Sequence, residues 1–394
     1  MILFNLRFFS NKHPMGIVNL SSFISSKFKF WSFISMVLLV FVHGYNIQDR
    51  YMQPWTIPSD PFSISGFIEY FLANGIFRFR IPMLFIISGY LFSIHDYRPY
   101  KTRAWKRFRS LFIPYLIWSA FGIIYTYSVE IIPWGSALVS ASHVVQIDNT
   151  RLLLHDYKWY ELLFRWLLLP VPYQLWFIRV LFIYNLAYPA IRWCIMNRIA
   201  RWFFFTFAIL LWLATINVGL IEGEGLLFFS LGIWMQKNSF NIESPSSLTK
   251  PAFWGFLFVF FALIKTYLAW KGLAFMGNAL FPVLTLMHKV VVISGLIACW
   301  YGLDPLVKWC MNHLWFTWLS GFAFIIYALH APLVAYLITP CLSLFKTMPG
   351  GHLIAFILLP LSIICFCIIT GFLLRLLVPK IYSTLTGGRG MGVT

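Results

Sequence analysis

Apolar residues along this chain fall into long runs separated by mostly short polar segments. Runs long enough to cross about 30 Å of hydrocarbon lie near 28–45, 76–94, 111–129, 173–191, 202–217, 252–270, 281–302, 316–338 and 353–377, with a shorter one from 223 to 236. Lipid offers backbone N–H and C=O groups no partner, so each run is predicted to be a helix that satisfies its own backbone. The expected fold is all-α: a polytopic membrane protein of about ten transmembrane helices. Two polar segments, 46–75 and 130–172, are long. In the second, Trp159, Leu162, Leu163, Phe164, Trp166, Leu167 and Leu168 interleave with Lys158, Glu161 and Arg165. That pattern reads as an amphipathic helix, either lying at the membrane interface or packed on the bundle.

Composition agrees with this reading. Of 394 residues 60% are hydrophobic and 11% charged, against roughly 25% charged in soluble domains. A single bundle uses this length, so the chain divides into an N-terminal tail (1–27), a transmembrane domain (28–377) and a C-terminal tail (378–394). The glycines at 387, 388, 390 and 392 make that last tail read as disordered. The six Cys lie in or beside the runs without paired metal spacing, so they are assigned to packing and no metal site is expected.

The net charge of +18 raises nucleic-acid binding, but Lys and Arg fall mainly in the short segments between runs, as topology signals do. With the N-terminus inside, the cytoplasmic segments, counted with Lys29 and Arg375 at the inner ends of the first and last runs, hold nineteen Lys and Arg and the outer segments six. Both termini are therefore expected in the cytoplasm, and no nucleic-acid partner is expected.

Beyond Lys29 and Arg375 at the inner ends, eight basic side chains remain inside the runs: His43, Arg78, Arg80, Arg179, Lys265, His288, Lys289 and His330. The twelve Asp and Glu are read as lying outside them. Orienting the helices places all eight in the outer half of the membrane. Arg78 and Lys265, taken singly, are long enough to snorkel to the headgroups, and a histidine can be an ordinary buried one. A shared depth on six helices points instead to an outward-opening cavity whose positive charge suits a phosphate or carboxylate.

Ordered motifs carry a family resemblance. Phe41-Val42-His43 closes the first run, and Arg80-Ile81-Pro82-Met83-Leu84-Phe85-Ile86-Ile87-Ser88-Gly89-Tyr90 opens the second. A basic loop, Lys101–Arg109, leads into Ile113-Pro114-Tyr115, followed by Leu175-Trp176-Phe177-Ile178-Arg179 and by Ile326-Tyr327-Ala328-Leu329-His330-Ala331-Pro332. The series resembles the membrane acyltransferase-3 family over residues 30 to about 340. That resemblance implies an enzyme of the plasma (bacterial inner) membrane. It would move an acyl group, often acetyl, from a cytoplasmic thioester such as acyl-CoA to a hydroxyl, commonly of a cell-surface or lipid-linked saccharide. His43 matches the family's catalytic histidine. Eleven positions before it, where the family carries a basic residue, stands Ser32, and the family's paired-arginine motif is approximated by Lys106 and Arg109 or by Arg103 and Lys106.

The residues fit such a reaction. A thioester needs little activation, so the protein must mainly position two substrates and take a proton from the hydroxyl. His43 suits the base, and Arg78 and Arg80 suit an oxyanion or a phosphate. Arg179, Trp176, Tyr90, Tyr327 and His330 are assigned to the substrate path. Arg103, Lys106, Arg107 and Arg109 are assigned to docking the donor's phosphates, although retention of the loop inside the cell and attraction to anionic membrane lipids would explain the same charges. Ser88-Gly89 reads as a close helix contact before it reads as a nucleophile. No bound cofactor is expected, acyl-CoA being a substrate. A transporter or flippase of an anionic glycan is the alternative, disfavoured by the expected absence of intramembrane carboxylates. Specificity is assigned to the two long outer segments, where Trp55, His143, Asp148, His155 and Asp156 are available.

Overall fold

The computed structural model describes residues 20–45, 52–147, 151–218 and 220–391. Of the positions singled out above, residues 1–19 of the tail, Asp148 and Gly392 lie outside these. The chain folds as helices α1 (Ser22–His43), α2 (Ile64–Tyr70), α3 (Arg80–Ile94), α4 (Tyr100–Arg107), α5 (Ile113–Glu130), α6 (Pro133–Ser142), α7 (Trp159–Leu167), α8 (Trp176–Met196) and α9 (Arg198–Leu213). After a two-residue strand pair, β1 (Asn217–Val218) and β2 (Ile221–Glu222), come α10 (Gly223–Lys237), α11 (Pro251–Lys271), α12 (Leu273–Met276), α13 (Leu280–Gly302), α14 (Asp304–Met311), α15 (Leu314–Ser320), α16 (Ala323–Phe345), α17 (Gly351–Leu377) and α18 (Pro379–Thr386).

All ten apolar runs are helical. Eight helical stretches among the described residues are long and apolar enough to cross a membrane, whereas α9 and α10, at 16 and 15 residues, are shorter. The two differ in placement. α9 presents Trp202 and Phe203 outward, while α10 is buried all round and packs on α3, α8 and α9. Glycine makes the α3–α10 approach possible: a Cβ on Gly89 would stand 2.0 Å from the Phe229 carbonyl oxygen, and one on Gly232 would stand 2.2 Å from that of Ile86. Small residues at helix interfaces serve this purpose in lipid, where apolar side chains gain little by leaving it.

The C-terminal end of α1 meets the N-terminal ends of α3, α8 and α10, with the first turns of α13 beside them. At this end the described residues of 130–172 form a cap with its own apolar core of Val139, Val144, Val145, Leu154, Tyr157 and Val171. Glu130, at the end of α5, accepts from the backbone N–H of Leu154 at 2.8 Å and pairs with His155 Nδ1 at 2.6 Å. Within the cap α7 turns Arg165 inward to the Val144 carbonyl and leaves Trp159 76% exposed. His155 and Asp156 serve this cap, Asp156 accepting from Leu153 N–H.

At the opposite end Asp96, just past α3, collects Arg103 (2.8 Å), Arg192 (2.9 Å), Lys237 (2.6 Å) and the Tyr188 hydroxyl (2.7 Å). Two expectations fail here. The first helix begins at Ser22, before residue 28: the Ser21 hydroxyl caps it by accepting from the Ile24 N–H, and Lys27 within it is fully buried against Asp304 at 2.6 Å and over Trp300. The glycine-rich tail is packed through residue 391: Arg389 donates to the Ser110 carbonyl, Arg375 to that of Gly390, and Trp118 to that of Leu385.

Candidate active site

His43 is the last residue of α1. Its ring meets Tyr173 edge-on at 4.8 Å and stacks on His330 at 5.4 Å. His330 is fully buried in α16, where its Nδ1 lies 2.8 Å from the Ile326 carbonyl oxygen. A carbonyl only accepts, so Nδ1 carries the hydrogen and Nε2 is left as a bare acceptor, buried with no partner among the described residues. Directly beyond, α16 breaks at Ala331 (φ −109°, ψ 138°), and Pro332 has no N–H to offer. Gln174 repairs the break. Its Nε2 donates to the carbonyls of Tyr327, Ala328 and Ala331 at 3.0–3.2 Å, and the Tyr327 hydroxyl donates back to the Gln174 carbonyl at 2.6 Å.

Arg78 and Arg80 come from a second break. After α2 the helix widens to a π turn at Phe71–Gly75 and tightens to a 3₁₀ turn at Ile76–Phe79 before α3 starts. Such changes of winding inside a helix often mark functional positions. Arg78 donates to the Met52 carbonyl at 2.9 Å and Arg80 to that of Phe77 at 2.8 Å, while Arg80 Nε is buried without a partner. Arg179, in the first turn of α8 behind Trp176, also holds a buried, unpartnered Nε.

These side chains surround one cavity of about 410 Å³, lined by His43, Arg78, Arg80, Arg179, Trp176, His288 and Lys289, with Tyr45, Tyr173 and Trp212. Lys265 stands behind it. Instead of snorkelling, it points into the bundle, fully buried, and donates to the Asn74 carbonyl at 2.6 Å. Lys289 lies over the Trp212 ring at 5.0 Å.

The expectation about carboxylates fails. Glu222 and Glu224 line the same cavity, Glu224 being the second residue of α10, and Glu69 lies in α2 within the continuous stretch Ile64–Ile94. The case against a transporter that rested on missing carboxylates falls with it. Glu222 lies at the end of β2 and accepts from the N–H groups of Glu224 and Gly225, capping α10, while Glu224 accepts from the Trp212 indole at 3.2 Å. Burial, with the Glu224 charge beside it, raises the Glu222 carboxyl above the ordinary carboxyl range. Four cations face two carboxylates, so the cavity remains basic.

Other candidates lie elsewhere. Tyr90, ten residues along α3 from Arg80, packs edge-on against Phe28, and the Tyr327 hydroxyl is taken by Gln174. Arg103, Lys106 and Arg107, with His95 and Arg98, line a separate cavity of about 90 Å³ at the Asp96 end, and Arg109 is exposed outside it. Sequence reasoning missed Gln174, Tyr173, Trp212, Glu222 and Glu224. A polar Gln immediately before the Leu175-Trp176 motif was the available signal for the first.

Comparison with known proteins agrees with this arrangement of motifs. Residues 21–374 match the Acyltransferase domain family, Acyl_transf_3. The succinoglycan biosynthesis protein ExoH of Rhizobium meliloti (strain 1021) is 25% identical over 359 residues, covering 89% of each chain. No solved structure matches.

Proposed function

The chain belongs to the membrane acyltransferase-3 family, and from that premise we propose that it moves an acetyl group from acetyl-CoA to a hydroxyl of a saccharide held in the 410 Å³ cavity. The observation that carries this reading is His43, at a helix end, opening onto a cavity that joins arginines to Trp and Tyr rings. Aromatic faces suit the apolar faces of sugar rings, and unpartnered guanidinium N–H groups suit an anionic substituent of the acceptor or donor. A glycan acceptor is also in keeping with the relative named for succinoglycan biosynthesis.

In this mechanism the acceptor hydroxyl oxygen attacks the thioester carbonyl carbon. A C–O bond forms, the C–S bond breaks, and the proton leaves the hydroxyl for His43 and passes from there to the departing thiolate sulfur. Ester and free thiol are the products, and no other reactant is consumed. Arg80 and Arg179 hold the anionic groups in place. We assign the donor's phosphates to the second cavity, where Lys106 and Arg107 are available. Replacing Lys106 by Ala should then raise KM for acetyl-CoA severalfold and leave kcat near wild type.

The deciding experiment is transfer from radiolabelled acetyl-CoA to saccharide acceptors by protein purified into nanodiscs. His43→Ala should lower turnover by about 10²–10⁴-fold without altering thermal unfolding. Undiminished transfer by that variant would show that another group is the base.

A further inference from the structure

His288, which lines the cavity, and His330, buried behind His43, differ in what their Nδ1 atoms meet, and the difference assigns His288 a separate role. We propose that His288 donates a hydrogen bond from Nε2 to the acyl carbonyl oxygen as that oxygen gains charge, and that Lys265 is the residue positioning it. This rests on the acyl-transfer reading above.

The geometry begins at the contact of α11 with α13, which pack along one another. Lys265 Nζ is fully buried, a placement that is costly unless its hydrogens are taken. Two partners take them: the Asn74 carbonyl oxygen at 2.6 Å and His288 Nδ1 at 3.2 Å. The Tyr70 ring face adds a third contact at 5.7 Å. Asn74 lies where the π turn gives way to the 3₁₀ turn at Gly75 (φ −113°, ψ −90°), so its carbonyl is free to turn toward Lys265. Asn74 is itself held by its amide, which donates to the Tyr70 hydroxyl at 2.8 Å. The lysine is thus fixed by the same break that delivers Arg78 and Arg80.

An ammonium group has donors only. We take Lys265 as an ammonium; the ring nitrogen facing it then accepts, which leaves the hydrogen of a neutral imidazole on Nε2, and the nitrogen spectrum tests that assignment. His288 lines the cavity, and no described residue bonds its Nε2. His330 is arranged the opposite way, with Nδ1–H turned to a carbonyl and Nε2 bare. One imidazole is set as a donor and the other as an acceptor.

When the hydroxyl oxygen adds to the acyl carbon, the carbonyl π pair moves onto oxygen, and His288 Nε2–H stabilises it without giving up its proton. The pair returns as the C–S bond breaks, and the hydroxyl proton, taken by His43, leaves on the thiol. A fixed donor aimed at a developing oxyanion acts on kcat and leaves substrate binding nearly unchanged.

The test combines a spectrum with kinetics, both on the full chain in nanodiscs. With ¹⁵N-labelled histidine, the signal lost in His288→Gln identifies His288, and its protonated nitrogen should be Nε2. Protonation at Nδ1 would overturn the proposal. Kinetics use acetyl-CoA with 4-nitrophenyl β-glucoside as acceptor. His288→Phe should lower kcat by about 10²-fold with KM for both substrates unchanged, and Lys265→Met should lower it by about tenfold or more. His288→Gln, whose amide N–H can stand in for Nε2–H, should recover to within about tenfold of wild type. A Gln variant that folds yet is as slow as Phe, or a loss confined to KM, would refute the donor role. If His288→Phe does not fold, His288→Gln and the tautomer decide between the outcomes. A wild-type protein that consumes no thioester would overturn the acyl-transfer reading, whereas the tautomer measurement bears on His288 alone.

Discussion

Gln174 does at the residue scale what a continuous helix would otherwise do. Its amide covers three carbonyls at the break in α16, and replacement by Leu leaves buried acceptors unpaired at about 1–3 kcal/mol each. Gln174→Leu should lower the thermal midpoint in detergent by several degrees and reduce turnover by displacing His330. Glu222 supplies a pH dependence. Burial, with the Glu224 charge beside it, raises its carboxyl above the ordinary carboxyl range, so the stability tied to its protonated form is fully present in acid and is lost as pH rises above that range. The thermal midpoint of the wild type should therefore fall more between pH 5 and 8 than that of Glu222→Gln. The sequence could place His43, Arg78, Arg80, Arg179, His288 and Lys289 in one layer because helix direction fixes depth. Depth says nothing about rotation about the helix axis or about the height of a side chain along it. Tyr90 was therefore assigned to the right helix at the wrong height, and Tyr327 to the right turn with its hydroxyl already spent. For Lys265, reaching for water stays open beside the cavity reading, because nothing in the sequence reveals that Asn74 and His288 face it.

At the scale of elements, the site depends on helices that stop being regular. The π-to-3₁₀ change before α3 and the break in α16 each present side chains that an unbroken helix would direct elsewhere. Neither break is visible in hydropathy, which is uniform across both, although Pro332 and Gly75 are the residues that permit them. The ten helices were legible because lipid imposes one solution on every apolar run. The lengths of α9 and α10 show the limit: a buried helix between other helices need not span the bilayer to be apolar. Close packing of α10 against α3 allows a firm expectation. Gly232→Leu would force a side chain into the Ile86 carbonyl, separating the two helices. Purified protein should then show a lowered thermal midpoint or fail to remain monodisperse in detergent.

For the whole molecule, the tail from Pro379 is a working part of the bundle. Gly387 (φ 61°) and Gly390 (φ 76°) adopt left-handed backbone that glycine takes without strain, and this returns Arg389 to Ser110 at the foot of α5. Gly-rich composition read as disorder because composition carries no record of the turn such residues allow. A chain ending at Val378 should unfold at a lower temperature than the full chain, with Arg389→Ala reproducing part of the loss in a thermal scan. Asp96 carries a consequence of another kind, one of timing. In a chain threaded into the membrane from its N-terminus, Asp96 emerges with α3 and meets Arg103 almost at once. Arg192 arrives two long helices later, and Lys237 only after α10. A single carboxylate thus holds a place for cations not yet synthesised, and biogenesis of this bundle is complete at that end only when the last of them has docked.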